Sequence, residues 1–428
     1  MDISILKEFW RIYRHPRLWI VLCLGFSSGL PLLLTASTLT LWLDEAGISR
    51  AAIGLFAAVA TPYSLKFLWS PLMDSLRFPL LCRWLGQRTG WMVATQAGLI
   101  LSIVAMAFAN PADNAYLTAL LAVLVAVFSA SQDIVIDAYR VEYLEPEQQA
   151  AGAAMIVLGY RIGMIASGAG ALYLAAYFGW QVSYLVMAAL VMVGTVTVLI
   201  AGEPPRHRDA SALESRDLGS WIKEAVIRPF TDFMQHNRWL AILCFILLYK
   251  MADAFMGTMA YVFYKDMGFD LVEIANISKL YGAIASIIGS LFGGVLVYRL
   301  GMYRSLWLCG ILYGLSNLMF LALARVGYDT SFFVLTITVE NFCSGLGAAI
   351  FVAYISSMCN LHFTATQYAL LSSLASAGRT WLSTPAGWLS QTMGWQFFFF
   401  FSALLAIPGL LFLWVLRHDI KQQRTVTQ

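Results

Sequence analysis

The sequence predicts an all-α membrane protein of twelve spanning helices, arranged as two bundles of six. Three observations predict it. Hydrophobic residues fill 60% of the 428 positions and charged residues only 12%, about half the charged share of a soluble domain. Apolar runs of roughly 20 residues, the length that crosses a bilayer core, follow one another along the chain. A single long polar interruption, Gly202–Arg238, separates six such runs from six more.

The runs read as spans 18–43, 51–73, 91–109, 115–138, 151–175 and 180–201, then 239–263, 272–297, 305–324, 331–357, 364–390 and 395–416. Turn-forming or charged residues mark most joints: Asp44–Arg50, Asn110–Asn114, Gly179, Gly268–Asp270, Gly327–Asp329 and Gly394. The expected domains are an N-terminal bundle (1–201), a linker (202–238) and a C-terminal bundle (239–428). Within the linker, Leu213–Met234 is expected to form an interfacial amphipathic helix. The first apolar run is too long for a cleavable signal, and no small-residue cleavage site precedes the next segment.

Lysine and arginine set the orientation. Nineteen fall in the leading segment, the even-numbered loops, the linker and the tail, against three (Arg50, Lys265, Arg325) in the alternate loops. That asymmetry places both termini and the linker in the cytoplasm. The net charge of +3 is too small to point to nucleic acid. Cys23, Cys82, Cys244, Cys309, Cys343 and Cys359 include no C-x-x-C pair, so no disulfide framework or metal site is expected. His15, His207, His236, His362 and His418 all lie in connecting or terminal segments. No phosphate-binding glycine loop appears, and no cofactor is expected. The expected partners are lipid and a small solute, with the chain a monomer.

The spans carry the informative residues. Span 1 holds Gly25-Phe26-Ser27-Ser28-Gly29, which has the spacing of a G-x-S-x-G nucleophile elbow. That elbow needs a strand–turn–helix setting, so small residues for close helix approach, followed by a kink at Pro31, are the better reading. Gly159/Gly163, Gly289/Gly293 and Gly310/Gly314 are read the same way. Span 4 ends in Ser129-Ala130-Ser131-Gln132-Asp133-Ile134-Val135-Ile136-Asp137-Ala138-Tyr139-Arg140. Ser129, Asp133 and Asp137 are spaced i, i+4, i+8 and share one helix face. A carboxylate facing lipid costs roughly 2.5–3.5 kcal/mol even on insertion scales, so this face must meet protein or water.

The other ionisable residues inside spans are Lys66, Arg161, Lys250, Asp253, Lys279, Glu340 and Arg379. Spans 3, 6, 9 and 12 hold none. Every third helix is therefore free to face lipid, and the others to line a water-accessible path between the bundles, as in alternating-access carriers. Asp133 is the leading proton-coupling candidate, followed by Glu340 and Asp253. Lys66, Arg161, Lys250, Lys279 and Arg379 are candidates for carboxylates on a solute. Gln132, Asn341, Ser129 and Tyr249 are candidates for its hydroxyls and amides. Asp137 and Arg140 are read as an anchor at the cytoplasmic mouth. Lys66 and Asp133 lie at similar depth and are expected to pair. A membrane-embedded enzyme would need a nucleophile, metal or acid–base pair, and no His/Cys cluster falls inside the spans; a passive receptor would not need the same charge exclusion in both halves.

The six-plus-six plan resembles the major facilitator superfamily. Asp74 with Arg83, Gly86 and Arg88 looks like that superfamily's gating loop between helices 2 and 3. The corresponding second-half loop has Tyr298 where an acid is usual. A closer resemblance is to the AmpG muropeptide permeases. It rests on Leu65-Lys66-Phe67-Leu68-Trp69-Ser70-Pro71-Leu72-Met73-Asp74, Gly25–Pro31 and Leu158-Gly159-Tyr160-Arg161. Tyr249-Lys250 with Asp253-Ala254-Phe255, Glu340-Asn341, and Thr364-Ala365-Thr366-Gln367-Tyr368-Ala369-Leu370-Leu371 extend it. The resemblance implies proton-driven import of anhydro-muropeptides across a bacterial inner membrane, in cell-wall recycling and β-lactamase induction. The related acetyl-CoA transporter type is the alternative. Many AmpG permeases extend past helix 12 with further hydrophobic segments, whereas this sequence ends at Gln428.

Overall fold

A computed structural model describes residues 13–48, 56–76, 81–205, 223–417 and 419–420, helical almost throughout and with no strand among them. The chain divides into two compact units. One comprises Met1–Glu145, Leu158–Phe230 and Cys359–Ser373; the other comprises Pro146–Val157, Thr231–Met358 and Leu374–Gln428.

In the first unit, α1 (Pro16–Leu34) starts on Pro16, where the missing N–H is no loss. It stops at Thr35, whose hydroxyl bonds back to the carbonyls of Pro31 and Leu32. Ala36 leaves helical geometry (φ −118°, ψ −111°), and α2 (Ser37–Glu45) continues beyond the break. The second expected span is not one helix. Among its described residues it forms a 3-10 turn Phe56–Ala60, α3 (Thr61–Leu65), a second 3-10 turn Lys66–Leu68, and α4 (Ser70–Ser75). Pro62 and Pro71 each sit in a first helical turn, because neither can continue the hydrogen-bond ladder of the segment before it. Then come α5 (Leu81–Leu85), α6 (Gln87–Ala107) and α7 (Ala115–Tyr143), the last capped by Asn114, which accepts from Leu117 N at 3.0 Å. Helix α8 (Gln149–Ile165) runs through a π turn, Ala166–Gly170, into α9 (Ala171–Ala201).

Glycines bring α1 and α8 into backbone contact. A Cβ on Gly159 would stand 2.0 Å from Leu22 O, and one on Gly163 would stand 2.3 Å from Phe26 O. Gly159→Ala is therefore expected to push the two helices apart and destabilise the fold by about 1–3 kcal/mol. Thermal unfolding in detergent should show a clear drop in Tm; an unchanged Tm would rule out the close approach.

Of the linker, residues 202–205 and 223–238 are described, the latter opening on a π turn Lys223–Ile227 and α10 (Arg228–Met234). The amphipathic helix expected from Leu213 begins outside the described residues. The remaining helices are α11 (Trp239–Leu248), α12 (Met251–Asp266), α13 (Leu271–Ile274), α14 (Gly282–Leu300), α15 (Met302–Val326), α16 (Thr330–Ser357), α17 (Thr364–Leu382), α18 (Ala386–Leu404) and α19 (Ala406–Val415). The second unit's core is aromatic: Phe263, Phe320, Phe333, Phe398 and Phe399 are fully buried against one another. Its closest helix pair is α14 and α16, where Gly289 faces Phe342 O and Gly345 faces Ser286 O.

Among the described residues nine helical stretches are long and apolar enough to cross a membrane. The stretch Pro146–Ala201 counts once but breaks at Gly179 (φ 84°, ψ 164°), a left-handed backbone that only glycine adopts cheaply. Gly394 (φ 74°, ψ 166°) breaks α18 in the same way. Both glycines are joints expected from the sequence. The broken second span and the more polar α17 complete a count consistent with twelve.

The two halves repeat one pattern. Gly86 and Gly301 turn into α6 and α15; Asn114 and Asp329 cap α7 and α16; Gly179-Trp180-Gln181 and Gly394-Trp395-Gln396 mark the joints inside α9 and α18. One constant spacing along the chain relates all three pairs.

Candidate functional site

The site grows from α7. Ser129, Asp133 and Asp137 lie on its polar face as the spacing required, and α1 brings Ser28 against it. Ser28 donates to Asp133 Oδ1 at 2.6 Å, a short charge-assisted bond. The neighbouring Ser27 makes the contact between the helices possible. Pro31 has no N–H, so the Ser27 carbonyl has no partner in its own helix. Gln132 Nε2 fills that gap at 2.9 Å, and Gln132 Oε1 accepts from Ser27 Oγ at 3.2 Å. Gln96 Nε2 donates to Ser27 Oγ at 3.4 Å, and Gln96 Oε1 accepts from Thr195 at 2.8 Å. Four helices are thus joined by one buried amide–hydroxyl chain, and Gln132, at 0% exposure, is wholly engaged in it.

Lys66, from the turn between Pro62 and Pro71, is buried beside the two carboxylates. Its ammonium stands 3.9 Å from Asp137 Oδ2, so its ion pair is with Asp137, one turn nearer the helix end than the expected Asp133. It remains within electrostatic reach of Asp133. One cation therefore serves two carboxylates on the same face. Tyr368 lies beside Asp137, and the Arg140 guanidinium, fully buried, sits 5.5 Å over the Tyr368 ring. The Tyr63 hydroxyl lies next to Ser129 and Thr35, and the Trp69 indole donates to Ser131 at 3.0 Å.

Beyond Asp137, at the end of the unit that carries Pro16, stands a second cluster. Asp74 accepts from Arg88 Nη2 at 2.7 Å, and the same nitrogen donates to Glu142 Oε1 at 2.6 Å. Arg88 Nε reaches both Glu142 oxygens, and Nη1 reaches Met73 O. Asp74 also accepts from Thr366 N at 2.8 Å and Thr366 Oγ1 at 2.6 Å, at the first turn of α17. Negative charge there is favourable. Glu203 caps α6 through Arg88 N at 3.0 Å and Thr89 N at 2.9 Å. The spacing of Asp74, Arg88 and Gly86 anticipated this cluster; Arg83 stands exposed.

In the second unit, Lys250 occupies the break between α11 and α12, and Asp253 follows in the first turn of α12. Glu340 accepts from Asn341 Nδ2, which also reaches Ile337 O. Tyr249 is buried, its hydroxyl donating to Leu306 O at 2.8 Å and its ring stacked on Phe351. Arg161 is half-buried, Arg379 exposed, and the Lys279 side chain lies outside the described residues. The structure therefore gathers Ser28, Lys66, Ser129, Asp133, Asp137 and Arg140 in one place, and Asp74 with Arg88 in another. Sequence reasoning missed Ser28, Glu142, Glu203 and Thr366. Thr366 stood inside the Thr364–Leu371 motif, but nothing in the sequence tied it to Asp74.

No group of His, Cys, Asp and Glu fit to hold a metal occurs among the described residues. Helices of membrane-crossing length with carboxylates and a lysine turned inside the bundle define a polytopic carrier. The comparisons agree. Residues 18–289 match the model of the Major Facilitator Superfamily. The chain is 41% identical over 98% of its length to the anhydromuropeptide permease of Escherichia coli K12, covering 83% of that protein. It is 38% identical over 96% of its length to the putative transporter AmpG 4 of Rickettsia conorii, covering 99% of it. The crystal structure of the human organic anion transporter MFSD10 aligns over 93% of this chain and 97% of that one, with a TM-score of 0.61 and 16% identity, which establishes the shared fold. The chain belongs to the major facilitator superfamily and, within it, to the family of the AmpG permeases. It is a multi-pass membrane transport protein and not an enzyme.

Proposed function

We propose that this protein imports anhydro-muropeptides, N-acetylglucosaminyl-1,6-anhydro-N-acetylmuramic acid with or without peptide, from periplasm to cytoplasm in symport with protons. The 41% identity to a protein named anhydromuropeptide permease, along 98% of the chain, carries the reading. The excess of nineteen basic residues to three supports an inner-membrane orientation with both termini cytoplasmic. The cargo would feed cell-wall recycling and, through it, β-lactamase induction.

Asp133 takes the proton. Its carboxylate is held by Ser28 and shares Lys66 with Asp137, so a proton on either acid relieves repulsion across one helical turn. The gradient contributes about 2.3 kcal/mol per charge per 100 mV. Lys66, Arg161, Lys250, Lys279 and Arg379 answer the carboxylates of the muramic acid and peptide. Ser129 and Asn341 supply hydrogen bonds to the cargo, and Gln132 and Tyr249, buried and bonded within the protein, shape the wall behind them. Glu340 and Asp253 are the second unit's acids for the same coupling. Asp74, Arg83, Arg88, Asp137 and Arg140 govern opening at the cytoplasmic end. The protein works as a monomer in lipid.

The test is uptake into proteoliposomes. Labelled anhydro-disaccharide should accumulate only with an inward proton gradient; accumulation of acetyl-CoA instead would overturn the reading. Lys66→Gln should weaken binding of a carboxylate-bearing muropeptide about tenfold more than that of its carboxamide analogue. Equal losses for the two ligands would remove Lys66 from substrate recognition.

A further inference from the structure

Each unit carries the same small device. In the first unit, α2 is an arm set off from α1 by the break at Thr35–Ala36. Its tip bears Trp42, Glu45 and, two residues on, Gly47 (φ 78°). Trp180, the first residue after the Gly179 joint, donates Nε1–H to Glu45 Oε2 at 2.8 Å. Its ring stacks on Trp42 of the same arm, with centroids 5.7 Å apart. In the second unit, α12 is the arm, set off from α11 by the break at Tyr249–Lys250. Its tip bears Phe263, Asp266 and Gly268 (φ 92°). Trp395, the first residue after the Gly394 joint, donates to Asp266 Oδ2 at 3.0 Å and packs on Phe263 at 5.2 Å.

The correspondence is complete. An aromatic and an acid stand three residues apart on the arm, a left-handed glycine follows two residues later, and a Gly-Trp-Gln turn supplies the donor. The arms differ in length, nine residues against sixteen, and the buried charges of the two halves do not correspond. Yet the latch at the tip is the same in both. It joins groups at an exposed margin, where one hydrogen bond adds little to global stability. What the pair does provide is geometry. A helix broken near its middle has lost ladder bonds at the break, and a directional bond from an indole packed on the arm's own aromatic fixes where the far end of the arm can go.

We propose that Trp180 and Trp395 are positioning residues for transport. Each latches the arm that follows the break, α2 or α12, through Glu45 or Asp266, so that the arm moves with the segment after the glycine joint of α9 or α18 and does not flex at its own break. The inference uses the carrier class and goes beyond the choice of cargo and coupling ion.

Two readouts test it. A spin label at Ala46 or at Met267 reports arm mobility without any substrate. Trp180→Phe keeps an aromatic ring on the arm and removes the N–H, and Trp395→Phe does the same in the other unit. Each should sharpen the label's spectrum in its own unit and lower the maximal uptake rate about fivefold, with half-saturation unchanged. With the tryptophans intact, Glu45→Gln and Asp266→Asn keep an acceptor oxygen and should leave both readouts at their wild-type values, while Glu45→Ala and Asp266→Ala should reproduce the losses of the Phe variants. Unchanged label mobility in both Phe variants would overturn the proposal. So would amide variants that lose rate and Tm as much as the alanine variants do. Because the label needs no cargo, a latch that fails is distinguishable from a muropeptide that is not carried.

Discussion

Asp133→Asn abolishes gradient-driven uptake and leaves the protein folded: this is the largest functional effect expected of one substitution. Asparagine has nearly the shape of aspartate, and its Oδ1 still accepts the hydrogen bond that Ser28 makes at 2.6 Å. Lys66 keeps Asp137 as its counter-charge at 3.9 Å. The folded state therefore loses little, within about 1 kcal/mol. What disappears is the exchangeable proton. Net accumulation under a pH gradient should fall at least about a hundredfold, whereas exchange of labelled for unlabelled cargo across a membrane without a gradient should persist. Uptake that stays fully gradient-dependent in this variant would move the coupling role to another acid, with Glu340 and Asp253 next in line.

Arg88→Ala should be the most damaging substitution for stability. Arg88 is 5% exposed and holds Asp74, itself 1% exposed, together with Glu142 and the Met73 carbonyl. Removing it leaves two carboxylates facing each other without a cation, a loss of about 3–5 kcal/mol. Lysine is not expected to rescue, because one ammonium cannot reach Asp74, both oxygens of Glu142 and a carbonyl in a planar fork. Adding Asp74→Asn and Glu142→Gln to Arg88→Ala removes the uncompensated charge and should recover much of the loss. Unfolding followed by tryptophan fluorescence distinguishes these outcomes. A single variant as stable as wild type would show that the cluster contributes nothing to the resting fold.

The parts of this molecule that were legible in the sequence share one property: they follow from local periodicity. Ser129, Asp133 and Asp137 had to share a face once α7 was helical. Gly179 and Gly394 had to be joints, since apolar runs on both sides left no other place to turn. The break in the second span was written in Pro62 and Pro71, but hydropathy averages over prolines and a continuous helix was the natural reading. Partners distant in sequence were less accessible. Lys66 is level with Asp133 by counting residues, yet its turn is 3-10, and the flexible side chain ends on Asp137. Glu203 looked like the polar start of a linker, and only the fold sets it on the open amides of α6. Gln132 looked like a ligand for sugar hydroxyls, but the carbonyl that Pro31 leaves without a partner claims its amide.

That last bond bears on how the first unit can move. The chain from Thr195 through Gln96 and Ser27 to Gln132 crosses α9, α6, α1 and α7 at one level. It works like a spline through four shafts. Sliding α1 along its axis by a single residue would strand two buried amides and a carbonyl, at several kcal/mol each. Piston-like motion of α1 past its neighbours is thereby closed to this unit. What remains is rotation of the four as a block, with bending confined to places that already lack ladder bonds, at Thr35–Ala36 and between Pro62 and Pro71.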